Sequence, residues 1–330
     1  MSTGELPSEA VIEVLLDEVF DRYRAVDEGA VADYIPMLAT ADPSLFGVSI
    51  VGVRGRTFSI GDASHRFSLQ SVSKPFVFAL VCEAIGHDEA REKLGVNATG
   101  LAFNSVMAIE LNEERTMNPM VNAGAMATTS LVPGRSADER WSLIHDGLSR
   151  FAGRTLDLDR EVYASESATN LRNQGIAHLL ESYGRLYADP DETTDVYTRQ
   201  CSLMVDATDL AVMGTTLADG GVNPLTGHQV IDPHSCKHVL AAMATAGLYQ
   251  HSGDWLYEVG LPGKSGVSGG IVTISPGKGG LGTFSPRLDG AGNSVRGQRA
   301  TATSPRSWDS TSSPSKPVAA DDPPTGPARR

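Results

Sequence analysis

Two β-like segments lie far apart in this chain, and most of what separates them reads as helix. Phe46, Val48, Ile50, Phe58 and Ile60 alternate around Arg54-Gly55, which predicts a hairpin over 46–61. A Gly-rich stretch from Gly266 carries two late strands, 271–275 and 281–285. Between them, apolar spacing predicts helices over 76–96, 136–153, 170–186, 207–219 and 235–246, and Asn118-Pro119-Met120 is a turn that opens another. Ile12, Leu15, Leu16, Val19, Tyr23 and Val26 add an amphipathic helix over 8–28, ended by Gly29. This order predicts an α+β chain: an antiparallel sheet built from both ends and flanked by helices, with an all-helical domain inserted between its early and late strands. The sheet part falls at about 10–70 and 255–297, the helical part at about 71–254. A site belongs at their junction, where two walls enclose a cleft that excludes water.

At that junction stands Gln70-Ser71-Val72-Ser73-Lys74-Pro75. Residues three apart share a helix face, so the Ser71 hydroxyl and the Lys74 amine can meet. Pro75 fits only the first turn of a helix, which therefore starts near Val72 with Ser71 as its cap. The positive helix end favours a serine alkoxide; together with burial among Phe76, Val77 and Phe78 it disfavours the ammonium form of Lys74. A neutral lysine can then act as a general base for a serine nucleophile. About 190 residues later, Lys264-Ser265-Gly266-Val267 precedes a strand. In the SxxK-plus-KTG pattern of penicillin-binding proteins and class A β-lactamases, such a strand gives an oxyanion hole one backbone N–H, here that of Val267, and the nucleophile gives the other.

The formal net charge of −13 argues against nucleic acid or an anionic membrane as partner. No apolar run reaches the roughly 18 to 20 residues of a membrane span, and the N-terminal stretch has no basic n-region, so a cytoplasmic protein is expected. Cys82, Cys201 and Cys236 are widely spaced and form no CxxC pair, consistent with a reducing compartment. Lys278-Gly279-Gly280-Leu281-Gly282 lacks the ending of a phosphate loop. His234, Cys236 and His238 include two histidines on one helix face. No second ligand cluster accompanies them, so they read as a surface helix and no metal is expected. Glu166 and Asn173, two turns apart, read as one helix face able to meet the ammonium and carboxylate of a substrate. Tyr197 and Tyr249 are candidate phenolic donors, and Tyr34 is either a core or a pocket residue.

These residues, with Ala32-Asp33-Tyr34-Ile35-Pro36, Phe103-Asn104-Ser105, Asn118-Pro119-Met120-Val121-Asn122-Ala123-Gly124-Ala125, Ser165-Glu166-Ser167, Gln200-Cys201-Ser202 and Ser285-Pro286-Arg287-Leu288-Asp289, resemble the serine-dependent glutaminases. The resemblance runs from about residue 10 to Gly297. It implies the β-lactamase and penicillin-binding-protein fold, hydrolysis of L-glutamine, no cofactor, and assembly into dimers or tetramers. It further implies Ser71 as nucleophile, Lys74 as its base, and Tyr34, Asn122, Glu166, Asn173, Tyr197, Tyr249 and the Val267 backbone as contacts to glutamine. Lys74, Tyr249 and Tyr197 remain candidates for the acid that protonates departing ammonia. Competing readings are a β-lactamase or D,D-peptidase, and a non-catalytic amino-acid-binding protein. Beyond Gly297 the family continues into an apolar helix covering the sheet. Here 301–330 holds six prolines and six serines, with Trp308 and Val318 as its large apolar residues. That composition predicts a disordered tail from about 298 and a sheet missing part of its cover.

Overall fold

The computed structural model describes residues 6–115 and 117–308. The chain opens with α1 (Glu9–Tyr23), a hairpin of β1 (Gly47–Gly52) and β2 (Thr57–Gly61), and the short β3 (Phe67–Ser68). There follow α2 (Ser73–Ile85), α3 (His87–Leu94), α4 (Met107–Leu111), α5 (Asn122–Leu131) and α6 (Ala137–Ala152). Next come β4 (Asp157–Leu158), α7 (Arg160–Thr169), α8 (Leu171–Ser182), α9 (Pro190–Cys201), β5 (Leu203–Val205), α10 (Ala207–Ala218) and α11 (Pro233–Ala246). The chain returns through α12 (Ser252–Val259), β6 (Gly263–Ser265), β7 (Gly270–Ser275) and β8 (Gly279–Phe284) to α13 (Val295–Trp308).

The main sheet has the order β2-β1-β8-β7-β6 and is antiparallel throughout, so the early hairpin and the late strands meet at β1 and β8, with Ile50 opposite Leu281. Alternation along β1 sends Val48 and Ile50 to a core shared with Ile12, Leu16 and Val19 of α1, while Val51 meets Ala211 and Val212 of α10 on the other face. The α10 face is lined by glycine. A Cβ on Gly282 would sit 1.9 Å from the Ala207 carbonyl, so helix and sheet approach at backbone contact. The remaining helices share one large core, in which α2 is buried from Ser73 through Ala79. Among the described residues no helix is long and apolar enough to cross a membrane.

Several boundaries differ from the sequence reading. α1 ends at Tyr23, and Gly29, at φ +85°, instead lets the chain pass beside Leu288, whose carbonyl would meet a Cβ there at 2.4 Å. The helix expected over 76–96 breaks at Gly86, also at φ +85°, into α2 and α3. The single helix carrying Glu166 and Asn173 is two, α7 and α8, divided at Asn170, whose side chain donates to Thr198 Oγ1 at 3.1 Å. α7 and α9 begin at Asp159 and Asp189, whose carboxylates cap the backbone amides of their first turns.

The tail expectation is corrected more sharply. The chain from 298 to Trp308 is helical, and 309–330 lies outside the described residues. α13 covers the sheet with small side chains: Ala300 and Thr301 are fully buried, and Ala300 joins the α1 core. Arg296 anchors its start by donating to the carbonyls of Val26, Pro43, Ser44 and Leu45. A count of large apolar residues misses this helix because it packs closely through small ones.

Candidate active site

Ser71 lies in a 3-10 turn, Gln70–Val72, that leads directly into α2; it sits within the turn and not at a helix cap. The preceding Gln70 holds φ at +48°, a left-handed conformation that costs a non-glycine residue about 1 kcal/mol or more. Its side chain is fixed by donating to Glu166 Oε2 at 3.0 Å. The turn rests against the chain leaving β6, because a Cβ on Gly266 would lie 3.1 Å from both the Leu69 carbonyl and Val72 Cγ2. Gly266 thus lets Val267 approach the serine turn.

A cavity of about 280 Å³ opens above Ser71, lined by Tyr34, Asn122, Glu166, Asn173, Tyr197 and Val267 among others. Seven of the sequence candidates therefore meet at one place, brought from the N-terminal connection, the serine turn, α5, α7, α8, α9 and the β6–β7 turn. Tyr34 is half exposed and stands at the mouth, whereas Tyr197 is buried.

The other two candidates lie beneath this lining. Lys74 is buried, and its Nζ donates to Asn122 Oδ1 at 2.7 Å. Asn122 in turn donates to Asn173 Oδ1 at 3.1 Å, so the lysine, both amides and the pocket floor form one chain. Burial lowers the Lys74 pKa to about 8, opposed by the Cys201 and Glu166 positions. Burial raises the Glu166 carboxyl to about 7, opposed by the Gln70 hydrogen bond and Lys74. Tyr249 also holds a left-handed φ, +54°, and its hydroxyl lies within hydrogen-bond reach of Ser71 and donates to the Ser265 carbonyl at 3.3 Å. Burial takes that phenol up to about 12, so it is a neutral donor near neutrality.

Lys264 is a residue whose surroundings sequence reasoning misses, since its motif points to the Val267 N–H and not to what encloses the lysine. It is fully buried, donates to the Gly247 and Ser265 carbonyls at 2.9 and 2.7 Å, and lies 4.3 Å above the Tyr249 ring. Burial, and then Lys74, hold its pKa well below the ordinary lysine value. Ser265 donates to Asn293 Oδ1 at 2.6 Å, tying the same strand to the approach to α13. The available signal is a lysine in a strand otherwise made of small residues. Arg172 also lines the cavity from the exposed side of α8 and donates to the Asn104 carbonyl. Its spacing on α8 marks nothing.

The arrangement places a hydroxyl, a lysine poised between its two charge states, a buried carboxylate and amides of Asn122 and Asn173 around a space sized for a small polar molecule. The Glutaminase family model matches residues 29–309. A Yersinia pestis protein named Glutaminase 2 is 60% identical over 300 residues, covering 91% of this chain and 88% of its own length. The solved structure of the probable glutaminase ybaS superposes with a TM-score of 0.90 at 44% identity, covering 91% of this chain and 97% of that one. The Bacillus subtilis glutaminase YbgJ, solved as a covalent complex with 5-oxo-L-norleucine, superposes with a TM-score of 0.83 at 30% identity, over 90% and 98% of the two chains. The chain belongs to the glutaminase family.

Proposed function

We propose that this enzyme hydrolyses L-glutamine to L-glutamate and ammonia through an acyl-enzyme on Ser71. The observation that carries the mechanism is the buried Lys74 one turn from Ser71, with a pKa of about 8 and its Nζ held by Asn122. Neutral Lys74 takes the Ser71 proton as Oγ attacks the γ-carboxamide carbon, and the oxyanion is received by the Ser71 and Val267 N–H groups. The C–N bond then breaks, the nitrogen leaves as ammonia with a proton from Lys74 or the Tyr249 phenol, and water cleaves the γ-glutamyl ester to release glutamate and restore Ser71. Glu166, when ionised, pairs with the substrate ammonium, and Asn122, Asn173 and Tyr197 orient the remaining polar atoms. Tyr34 closes the mouth.

The YbgJ complex formed by reaction of that protein with 6-diazo-5-oxo-L-norleucine, which supports covalent chemistry in this family. Treating this chain with the same diazo ketone should add one 5-oxo-norleucine group with loss of N2, located by peptide mass spectrometry on Ser71. Ser71→Ala should lose both the adduct and glutaminase activity while keeping its melting transition. An adduct that maps elsewhere, or activity surviving in Ser71→Ala, would reject the mechanism. Acylation by penicillin would instead favour the β-lactamase reading. The family likeness also carries an expectation of dimers or tetramers, measurable by sedimentation velocity.

A further inference from the structure

α11 presents His234 and His238 one turn apart, and the chain brings a third imidazole to them from far upstream. His87 opens α3 immediately after Gly86, whose positive φ swings the backbone out of α2 and toward α11. The His87 and His238 rings stack at 4.1 Å between centroids, and the His234 ring meets them edge-on at 4.9 and 5.3 Å. One ligating nitrogen from each ring lies within 4.8 Å of the others. His238 Nε2 is shielded from water and has no hydrogen-bond partner among the described residues.

A neutral imidazole offers one lone-pair nitrogen, and three such nitrogens converge here. The Asp88 carboxylate lies 3.6 Å from His87 Nε2, and Asp232 accepts from the His234 backbone N–H at 2.8 Å, so the ends carrying these rings are held in place.

We infer that His87, His234 and His238 form a binding site for a divalent transition-metal ion of the zinc class. An all-imidazole donor set suits Zn²⁺, Co²⁺, Ni²⁺ or Cu²⁺ and is wrong for Mg²⁺ or Ca²⁺, which take oxygen ligands. Metal–nitrogen bonds of about 2.0 to 2.1 Å require the nitrogens to draw in by roughly an ångström, which the exposed His234 ring can supply. The site lies at the far end of α2 from Lys74, roughly 17 Å of helix away, so the ion does not touch the substrate. It ties the start of α3 to α11, and the opposite end of α11 leads through Gly247 to Tyr249. Its role is a clamp of the α2–α3 junction, at the end of α2 away from the reactive turn, onto α11, which leads to the phenol.

The test is titration of untagged full-length protein with Zn²⁺ by calorimetry and with Co²⁺ by visible absorption, beside thermal melts with and without metal and a Mg²⁺ control. One equivalent should bind and raise the melting temperature, and Co²⁺ should give the intense band of low coordination. His87→Gln, His234→Gln and His238→Gln should each weaken binding by more than about tenfold, with melts unchanged in chelator. His87→Gln is the decisive variant, because His234 and His238 alone are an ordinary helical pair. Absence of binding in the wild type, or unchanged affinity in His87→Gln, overturns the site. Should that variant fold poorly, His87→Ala takes its place: a tenfold loss of affinity supports the site and unchanged affinity overturns it.

Discussion

Converting Lys74 to arginine keeps a long cation and removes the ability to become neutral, which separates a base from a mere positive charge. With a pKa of about 8 in place of the ordinary 10.5, about one-tenth of Lys74 is neutral at pH 7. At the ordinary value the neutral share would be about 300-fold smaller. Burial is thus worth roughly two and a half decades of available base, comparable to the 10²–10⁴-fold typical of general acid–base catalysis. Because the group must lose its proton to act, kcat should rise with pH and level off above about 8. Lys74→Arg, whose guanidinium stays charged, should lose about 10²-fold or more in kcat with an unchanged circular dichroism spectrum. Glu166 opposes the lowering of the Lys74 pKa, so Glu166→Gln should move the kcat limb to lower pH while raising KM. In the wild type KM should also climb as pH falls below about 7, where the Glu166 carboxylate takes up a proton. The assay is glutamate release from L-glutamine between about pH 6 and 9. A kcat that is flat across that range, or a folded Lys74→Arg retaining more than about a tenth of wild-type kcat, would refute the reasoning.

Two further substitutions probe how the site is supported. Gly266→Ala places a methyl 3.1 Å from the Leu69 carbonyl and Val72 Cγ2, forcing the serine turn and Val267 apart by a few tenths of an ångström. Since a displacement of about 1 Å costs about 100-fold, kcat should fall by roughly three- to tenfold with little change in melting, and a large drop in melting with intact kcat would contradict it. Arg296→Met leaves the carbonyls of Val26, Pro43, Ser44 and Leu45 without their donor and loosens the start of α13. About 3 kcal/mol should be lost, a fall of roughly 4–6 °C in a thermal melt for a chain of this size; a shift under about 1 °C would mean that α13 contributes little to the sheet's cover.

The architecture was legible because periodicity survives burial on a single face. β2 alternates in exposure, Val48 and Ile50 keep the two-residue spacing in β1 although that strand is buried on both faces, and α6, α10 and α11 start at Ser136, Asp206 and Asp232, whose side chains cap them. Where the chain is buried all round, or held by backbone contact, the pattern fades. The break at Asn170 is set by its bond to Thr198, and the cover by α13 rests on Ala300 and Thr301, which no hydrophobicity count flags. The site was legible for a different reason. Ser71, Lys74 and Val267 fall in short motifs whose spacing encodes geometry. The surroundings of Lys264 and the His87 cluster are not encoded that way, because they come from partners outside the local motif: the Tyr249 ring for one, and α11 for the other.

The pairing of β1 with β8 has a consequence for how the protein is made. Synthesis proceeds from the N-terminus at about 5–20 residues per second, so β1 leaves the ribosome some 10–40 s before its neighbour exists. During that interval one edge of an apolar hairpin has no strand beside it, the condition in which sheets recruit foreign chains. Ser71 and Lys74 emerge early too, but the Val267 amide follows only with the last strands. Under the proposed mechanism a nascent chain carries its nucleophile long before its oxyanion hole, and activity should begin only when its two ends meet.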